Sequence, residues 1–188
     1  MDVKEFIQKV LVTPEMCPCL MIGNYVNAFK KIYKGHIERA YNLSDVRRLV
    51  DEYDGIGSVN SGVFVAEGIG FLSDTGQNSL LKFIEESKIP IILLSYNDKV
   101  SPIIMSRMKI VVKRWKGINN LDFPRVQVAL KALNEKKAGG DFTEYDEVQF
   151  MADTCPQLYS IKMQAGDPFD YMNSRMIDIM CKSKEVKK

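Results

Sequence analysis

The spacing of apolar residues changes along the chain and predicts the order of its elements. Val3, Phe6 and Val10 recur at helical spacing, which indicates a helix over the first dozen residues. The short apolar run 19–22 is compatible with a brief buried strand. Helical spacing returns over residues 26–33, so the chain opens with helix, strand and helix.

Two further apolar runs, 63–66 and 91–94, are typical of strands that are covered on both faces. A helical pattern over 74–87 separates them. A short helix over 101–107, with a serine N-cap and a proline at its first position, precedes a fourth apolar run at 110–112. Strands that alternate with helices through short loops predict a parallel sheet with helices on both faces.

The remaining elements are indicated mainly by helix caps. Ser44 is expected to be the N-cap of a third helix, which ends near Asp54. After about residue 117 the pattern is helical throughout, so we expect an α/β domain over 1–117 and a small all-helical domain over 118–188. Three caps are expected in the second domain: Asp122, Thr143 and Asp167.

Composition narrows the class of protein. The 188 residues include 26 basic and 24 acidic ones, a formal charge of +2 that argues against a dedicated nucleic-acid-binding domain. Four cysteines are too few for a disulfide framework, and Cys17 and Cys19 lack the second pair that a zinc module needs, so we expect no metal. We also expect no signal peptide, no membrane span and a cytoplasmic location.

Polar residues follow the predicted strands at positions where α/β sheets bind ligands. Glu67 follows the run 63–66, and Ser95 follows the run 91–94. The carboxyl ends of parallel strands form the edge at which such sheets hold ligands. Ser106 and Arg107 precede the run 110–112. An arginine on a short exposed helix beside the sheet could reach a phosphate on a neighbouring protein.

Three segments resemble the AAA+ subunits of bacterial DNA polymerase III clamp loaders, of the gamma and delta-prime type. SDTGQNSLLKFIEES is similar to the helix after the Walker B strand, SDVRRLVDEYD to the helix before it, and MSRM to the serine-arginine-cysteine motif with methionine for cysteine. The likeness covers residues 43–114, and residues 119–182 are only consistent with the family's lid. It implies an AAA+ type three-layer sandwich followed by a helical lid.

The departures from the family pattern argue against ATP hydrolysis. A phosphate loop has the spacing GxxxxGK[ST], whereas the segment at that position offers only Gly23, Lys30 and Lys31 and no hydroxyl after the lysine. By the resemblance, Glu67 takes the magnesium-binding position of Walker B and Gly68 replaces the catalytic glutamate. We therefore expect that the protein is not an enzyme. ATP and Mg²⁺ are expected only in a partner subunit.

The family's trans-acting arginine finger is retained, because Ser106 and Arg107 match its serine-arginine pair, and Ser95 takes the sensor-one position. This is the pattern of a delta-prime-like, non-catalytic subunit, whose expected partners are AAA+ clamp-loader subunits and a sliding clamp. Contact with DNA is expected to be weak or indirect. The short length suggests that the protein is encoded by a phage or another compact genome. For a phage protein, the expected location is the cytoplasm of the host.

Other interpretations of these residues stay open. Arg107 alone is typical of a solvated surface residue, Glu67 of a strand-end carboxylate, and Ser95 of a strand cap. An AAA+-derived adaptor or decoy that binds a replication protein, such as a helicase loader, is one alternative function. A weak ATPase that depends on Lys30 or Lys31 is another.

Overall fold

The computed structural model describes residues 2–54, 62–114, 122–168 and 170–172. The chain divides into two compact units, residues 1–114 and 115–188. The expected boundary at residue 117 lies outside the described residues.

The first unit alternates helices and strands. Its helices are α1 (Val3–Val12), α2 (Asn24–Ile32), α3 (Leu43–Asp54), α4 (Asp74–Glu86) and α5 (Pro102–Arg107). Its strands are β1 (Cys19–Gly23), β2 (Glu38–Arg39), β3 (Phe64–Glu67), β4 (Ile91–Ser95) and β5 (Ile110–Arg114). Short 3-10 turns occur at Pro14–Met16 and Ile69–Phe71.

The five strands form one sheet in the order β2-β3-β4-β1-β5. Every adjacent pair is parallel, with Leu20 of β1 aligned with Leu93 of β4 and with Val111 of β5. All residues of β1, β3 and β4 are buried, as their apolar runs predict for strands covered on both faces. The predicted α/β class with a parallel sheet is confirmed.

The helices lie on both faces of the sheet. The connection from β1 to β2 runs in one direction along the sheet, and those from β2 to β5 run in the other. Right-handed crossovers therefore place α2 on one face and α3, α4 and α5 on the opposite face. Consistent with this, α1 contacts α2, while α4 contacts both α3 and α5. This arrangement is compatible with the expected three-layer sandwich.

The start of α3 differs from the prediction. The helix begins at Leu43, and the side chain of Asn42 accepts a hydrogen bond of 2.9 Å from the backbone N–H of Asp45. The Asp45 carboxylate in turn accepts from the N–H of Tyr41 at 3.3 Å. Ser44 as the N-cap is therefore wrong, because Asn42 is an equally good cap and satisfies the first turn two residues earlier.

The described part of the second unit contains the helices α6 (Phe123–Ala138), α7 (Glu144–Thr154) and α8 (Pro156–Ala165). Asp122 caps α6, and Thr143 and Asp146 form a capping box at α7. The Asp167 carboxylate accepts from the N–H of Asp170 at 3.1 Å, so all three expected caps are confirmed. Among the described residues of both units, no helix has the length and apolar character needed to span a membrane.

Candidate functional site

The carboxyl edge of the sheet brings together most of the site residues expected from the sequence. β1 ends at Gly23, β3 at Glu67 and β4 at Ser95, and β4 lies between β1 and β3. Because the strands are parallel, these three ends point to the same edge. α2 leaves this edge directly after β1 and carries Lys30.

A hydrogen-bonded ion pair lies at this edge. Lys30 Nζ is 3.0 Å from Glu67 Oε2, and the same ammonium donates to the Tyr96 hydroxyl at 3.0 Å. The Tyr96 hydroxyl donates to Glu67 Oε2 at 3.2 Å. Glu67 is 4% exposed and Tyr96 is fully buried. The Glu67 carboxylate is thus engaged by a lysine and a tyrosine of the same chain.

Lys30 and Lys31, the two lysines of α2 that were singled out from the sequence, differ in their surroundings. Lys30 is the residue that reaches Glu67, and its side chain is 25% exposed. Lys31 is exposed at the surface. Consecutive residues of a helix point in directions about 100° apart, which explains why only one of the two faces the strand ends.

No loop separates β1 from α2. The strand ends at Gly23 and the helix begins at Asn24, so Tyr25 and Asn27 are helical residues. Gly23 makes this abrupt junction with φ 76° and ψ −130°, a left-handed region that favours glycine. A phosphate loop surrounds its ligand with several consecutive backbone N–H groups between strand and helix. This junction has no residues available to form such a loop.

Gly68 has a structural role in the turn after β3. Its φ is 95°, and its N–H donates to the carbonyl of Leu94 at 3.0 Å. A Cβ atom here would lie 3.1 Å from Tyr41 Cβ and 3.2 Å from the carbonyl oxygen of Ala40. The backbone conformation and the close packing both favour glycine.

Ser95 is fully buried and participates in the turn after β4. Its hydroxyl donates to the carbonyl of Asn97 at 2.6 Å, and the Asn97 side chain accepts from the N–H of Lys99 at 3.0 Å. Gly70 packs against this turn, since a Cβ there would lie 2.0 Å from Asn97 Oδ1. These contacts stabilise the carboxyl edge of the sheet.

Arg107 lies at the opposite edge. The N–H of Lys109, just after α5, donates to the carbonyl of Pro18 at 2.9 Å, which places the end of α5 beside the start of β1. Arg107 is half-exposed, its Nε donates to a carboxylate oxygen of Glu85, and its Nη1 donates to Ser106 Oγ at 3.2 Å. The structure therefore separates Arg107 from the Lys30–Glu67 pair.

The cysteine pair has the character of core residues. Cys17 and Cys19 are buried with free thiols, and burial raises the pKa of Cys19 to about 12. A thiol with so high a pKa is a poor source of the thiolate that zinc binds. Among the described residues, no group of three or more His, Cys, Asp or Glu side chains is placed to hold a metal ion.

Tyr96 is the site residue that the sequence interpretation did not identify. It follows β4 directly, and a tyrosine buried at a strand end needs a partner for its hydroxyl. That signal indicates a hydrogen bond but not its partner, because Lys30 and Glu67 come from other parts of the chain.

No protein-family model matches this sequence, and no curated protein matches it.

Proposed function

We propose that the chain is a non-catalytic, delta-prime-like subunit of a clamp-loader complex in DNA replication. Its first unit would be a degenerate AAA+ sandwich that assembles with ATPase subunits, and its helical second unit a lid. The proposal combines the motifs at residues 43–114 with the chemistry at the two edges of the sheet.

The main support for the proposal that this subunit is non-catalytic is the ion pair between Lys30 and Glu67. In an active AAA+ site, the Walker B carboxylate holds Mg²⁺ and the lysine contacts the phosphates of ATP. Here the two groups neutralise each other at 3.0 Å, so Mg²⁺ would have to compete with an ammonium already in place. The absence of a loop between Gly23 and Asn24 removes the other half of a nucleotide site.

The observation that supports a role in assembly is the position of Arg107. It is half-exposed at the edge opposite Glu67, so its guanidinium is accessible to a neighbouring protein. Glu85 and Ser106 hold it in one orientation through contacts at the surface. Such exposed contacts are weak, at about 0–1 kcal/mol, so a phosphate of a neighbouring subunit can replace them.

A first experiment tests nucleotide binding by the chain alone. Isothermal titration calorimetry with ATP and Mg²⁺ is expected to give no binding at millimolar nucleotide. Lys30→Gln should leave that result unchanged, and Lys31→Gln is the matched control. Saturable ATP binding that is lost in Lys30→Gln would support the weak ATPase and overturn the non-catalytic assignment.

A second experiment tests the assembly role. Tagged protein purified from its native source is expected to bring with it an ATPase subunit and a sliding clamp. In the complex reassembled from these components, Arg107→Ala should lower the ATPase rate by roughly a thousandfold, the size of other trans-acting arginine effects. Arg47→Ala, which removes another exposed arginine, is the control and should leave the rate unchanged.

Two outcomes would contradict the assembly role. An unchanged ATPase rate in the Arg107→Ala complex would exclude the finger. Recovery of a helicase loader in place of an ATPase subunit and clamp would favour the adaptor or decoy.

A further inference from the structure

A cavity of about 690 Å³ lies at the amino-terminal edge of the sheet. Its walls include Pro18, Val63 and Pro90, which directly precede β1, β3 and β4. Leu11 of α1 and Ile84 of α4 contribute further apolar surface. Volumes of about 300–1,000 Å³ with mostly apolar walls are typical of sites for small organic ligands. The cavity is remote from Lys30 and Glu67, which lie at the carboxyl edge.

The charged groups that line the cavity favour an anion. Lys88 and Lys109 are exposed at its margin, and Glu85 is the one acidic residue among its lining residues. The Glu85 carboxylate already accepts a hydrogen bond from Arg107, which offsets its negative charge. The Lys109 ammonium reaches the carbonyl of Glu15 only at 3.4 Å, a long contact that a carboxylate can replace.

The apolar walls and the basic margin together define the chemical class of the occupant. We propose that this cavity is a binding site for a small amphipathic carboxylate, whose apolar body packs between Leu11 and Ile84 and whose carboxylate pairs with Lys88 and Lys109. This site can be tested apart from the proposed clamp-loader role, because binding of a small ligand to the chain requires no partner subunit.

The test compares three probes that differ only in the headgroup. Decanoate, decylamine and decanol are titrated into the full chain by calorimetry. Decanoate and decylamine are kept below the concentration at which they form micelles, and decanol is kept below its solubility limit. Decanoate is expected to bind with a Kd on the order of 1 mM or below, the range expected for a ligand of this size. Decanol and decylamine should bind at least tenfold more weakly. Equal binding of decanoate and decylamine, or no binding of decanoate, would overturn the proposal.

Substitutions locate the site. The double variant Lys88→Gln, Lys109→Gln should weaken decanoate binding roughly tenfold, as expected for two exposed ion pairs, and should leave decanol binding unchanged. Lys4→Gln and Lys31→Gln, at exposed lysines outside the cavity lining, are the matched controls. Leu11→Trp should weaken binding of decanoate, because the larger indole occupies part of the space beside Ile84 in which the apolar body would pack. In wild-type protein, decanoate should shift the NMR amide signals of residues 84–89 and of Ile91. Unchanged decanoate affinity in the double lysine variant, or shifts confined to other residues, would overturn the proposed site.

Discussion

Lys30 of α2 and Glu67 of β3 form an ion pair at 3.0 Å across the carboxyl edge of the sheet, although a strand and a helix separate them along the chain. Glu67 is 4% exposed, so water contributes little to the stabilisation of its charge. Lys30 and the hydroxyl of Tyr96 supply the opposing charge and a hydrogen bond. The pair therefore holds α2 against the ends of β3 and β4.

The two members of this pair should be coupled in their contributions to stability. Lys30→Met leaves a buried carboxylate without its cation and should lower the free energy of unfolding by about 2 kcal/mol, less than for a fully buried pair because Lys30 reaches solvent. In the Lys30→Met, Glu67→Gln double variant the loss should be smaller than the sum of the two single losses. Urea denaturation measures all three, with Lys31→Met as the control. Additive losses would contradict an energetic coupling between the two side chains.

Three glycines allow backbone conformation and packing to be tested separately. Gly140→Ala tests a positive φ alone, since φ is 106° and no atom lies within 4 Å of the added Cβ. Gly70→Ala tests packing alone, and Gly68→Ala tests both. We expect losses of about 1 kcal/mol at Gly140 and about 2–3 kcal/mol at Gly70 and Gly68, because the neighbours of both are held by backbone or hydrogen bonds. Chemical denaturation gives each value. A Gly68→Ala loss no larger than the Gly140→Ala loss would show that packing at Gly68 adds nothing to the effect of its positive φ, and unchanged stability in Gly70→Ala would show that packing at Gly70 contributes nothing.

The parallel sheet was predictable because burial on both faces requires continuous apolar runs, and those at 63–66 and 91–94 are unambiguous. Caps such as Ser101 were predictable for a local reason, because the side chain accepts from an N–H only three residues away. By contrast, β2 has only the two polar residues Glu38 and Arg39 at the sheet edge, so no apolar pattern indicates it.

The candidate site was predictable only in part. Glu67 was identified because it ends an apolar run, and that reasoning needs no tertiary contact. The pairing of Glu67 with Lys30 depends on how α2 packs over the sheet, which the sequence of α2 does not determine by itself. Tyr96 joins the same cluster through a position that looks locally like an ordinary strand end. Tertiary packing thus decided which of the candidate residues meet.

The N-terminus of α3 gives a matched pair of substitutions. The Asn42 side chain accepts from the N–H of Asp45, whereas Ser44 lies within the helix and is exposed. Asn42→Ala should lower the free energy of unfolding by about 1 kcal/mol, the usual value of an N-cap. Ser44→Ala should change it by less than about 0.5 kcal/mol, since serine and alanine differ little at an exposed helical position. Denaturation of both variants measures the difference. The opposite ranking would place the start of the helix at Ser44.

Asp98 and Lys113 give a prediction for pH dependence. The hydrogen bond of 2.6 Å from the Lys113 ammonium lowers the pKa of the Asp98 carboxyl below its ordinary value. A carboxyl whose pKa is lower in the folded state contributes stability above its unfolded pKa of about 3.9, and the contribution is lost as pH falls through the folded pKa. The difference in stability between wild type and Lys113→Gln should therefore be present at neutral pH and be lost as the pH falls from the unfolded pKa through the lower folded pKa of Asp98.

An NMR titration of the side-chain carboxyl carbon of Asp98 measures the underlying shift directly. The pKa of Asp98 should be higher in Lys113→Gln than in wild type, because the variant loses both the hydrogen bond and the positive charge. Lys109→Gln, which removes a lysine that does not contribute to the Asp98 shift, is the control. Both side chains are substantially exposed, so added salt should reduce the difference by screening the charge. The same pKa of Asp98 in wild type and Lys113→Gln would mean that this ion pair does not form in solution.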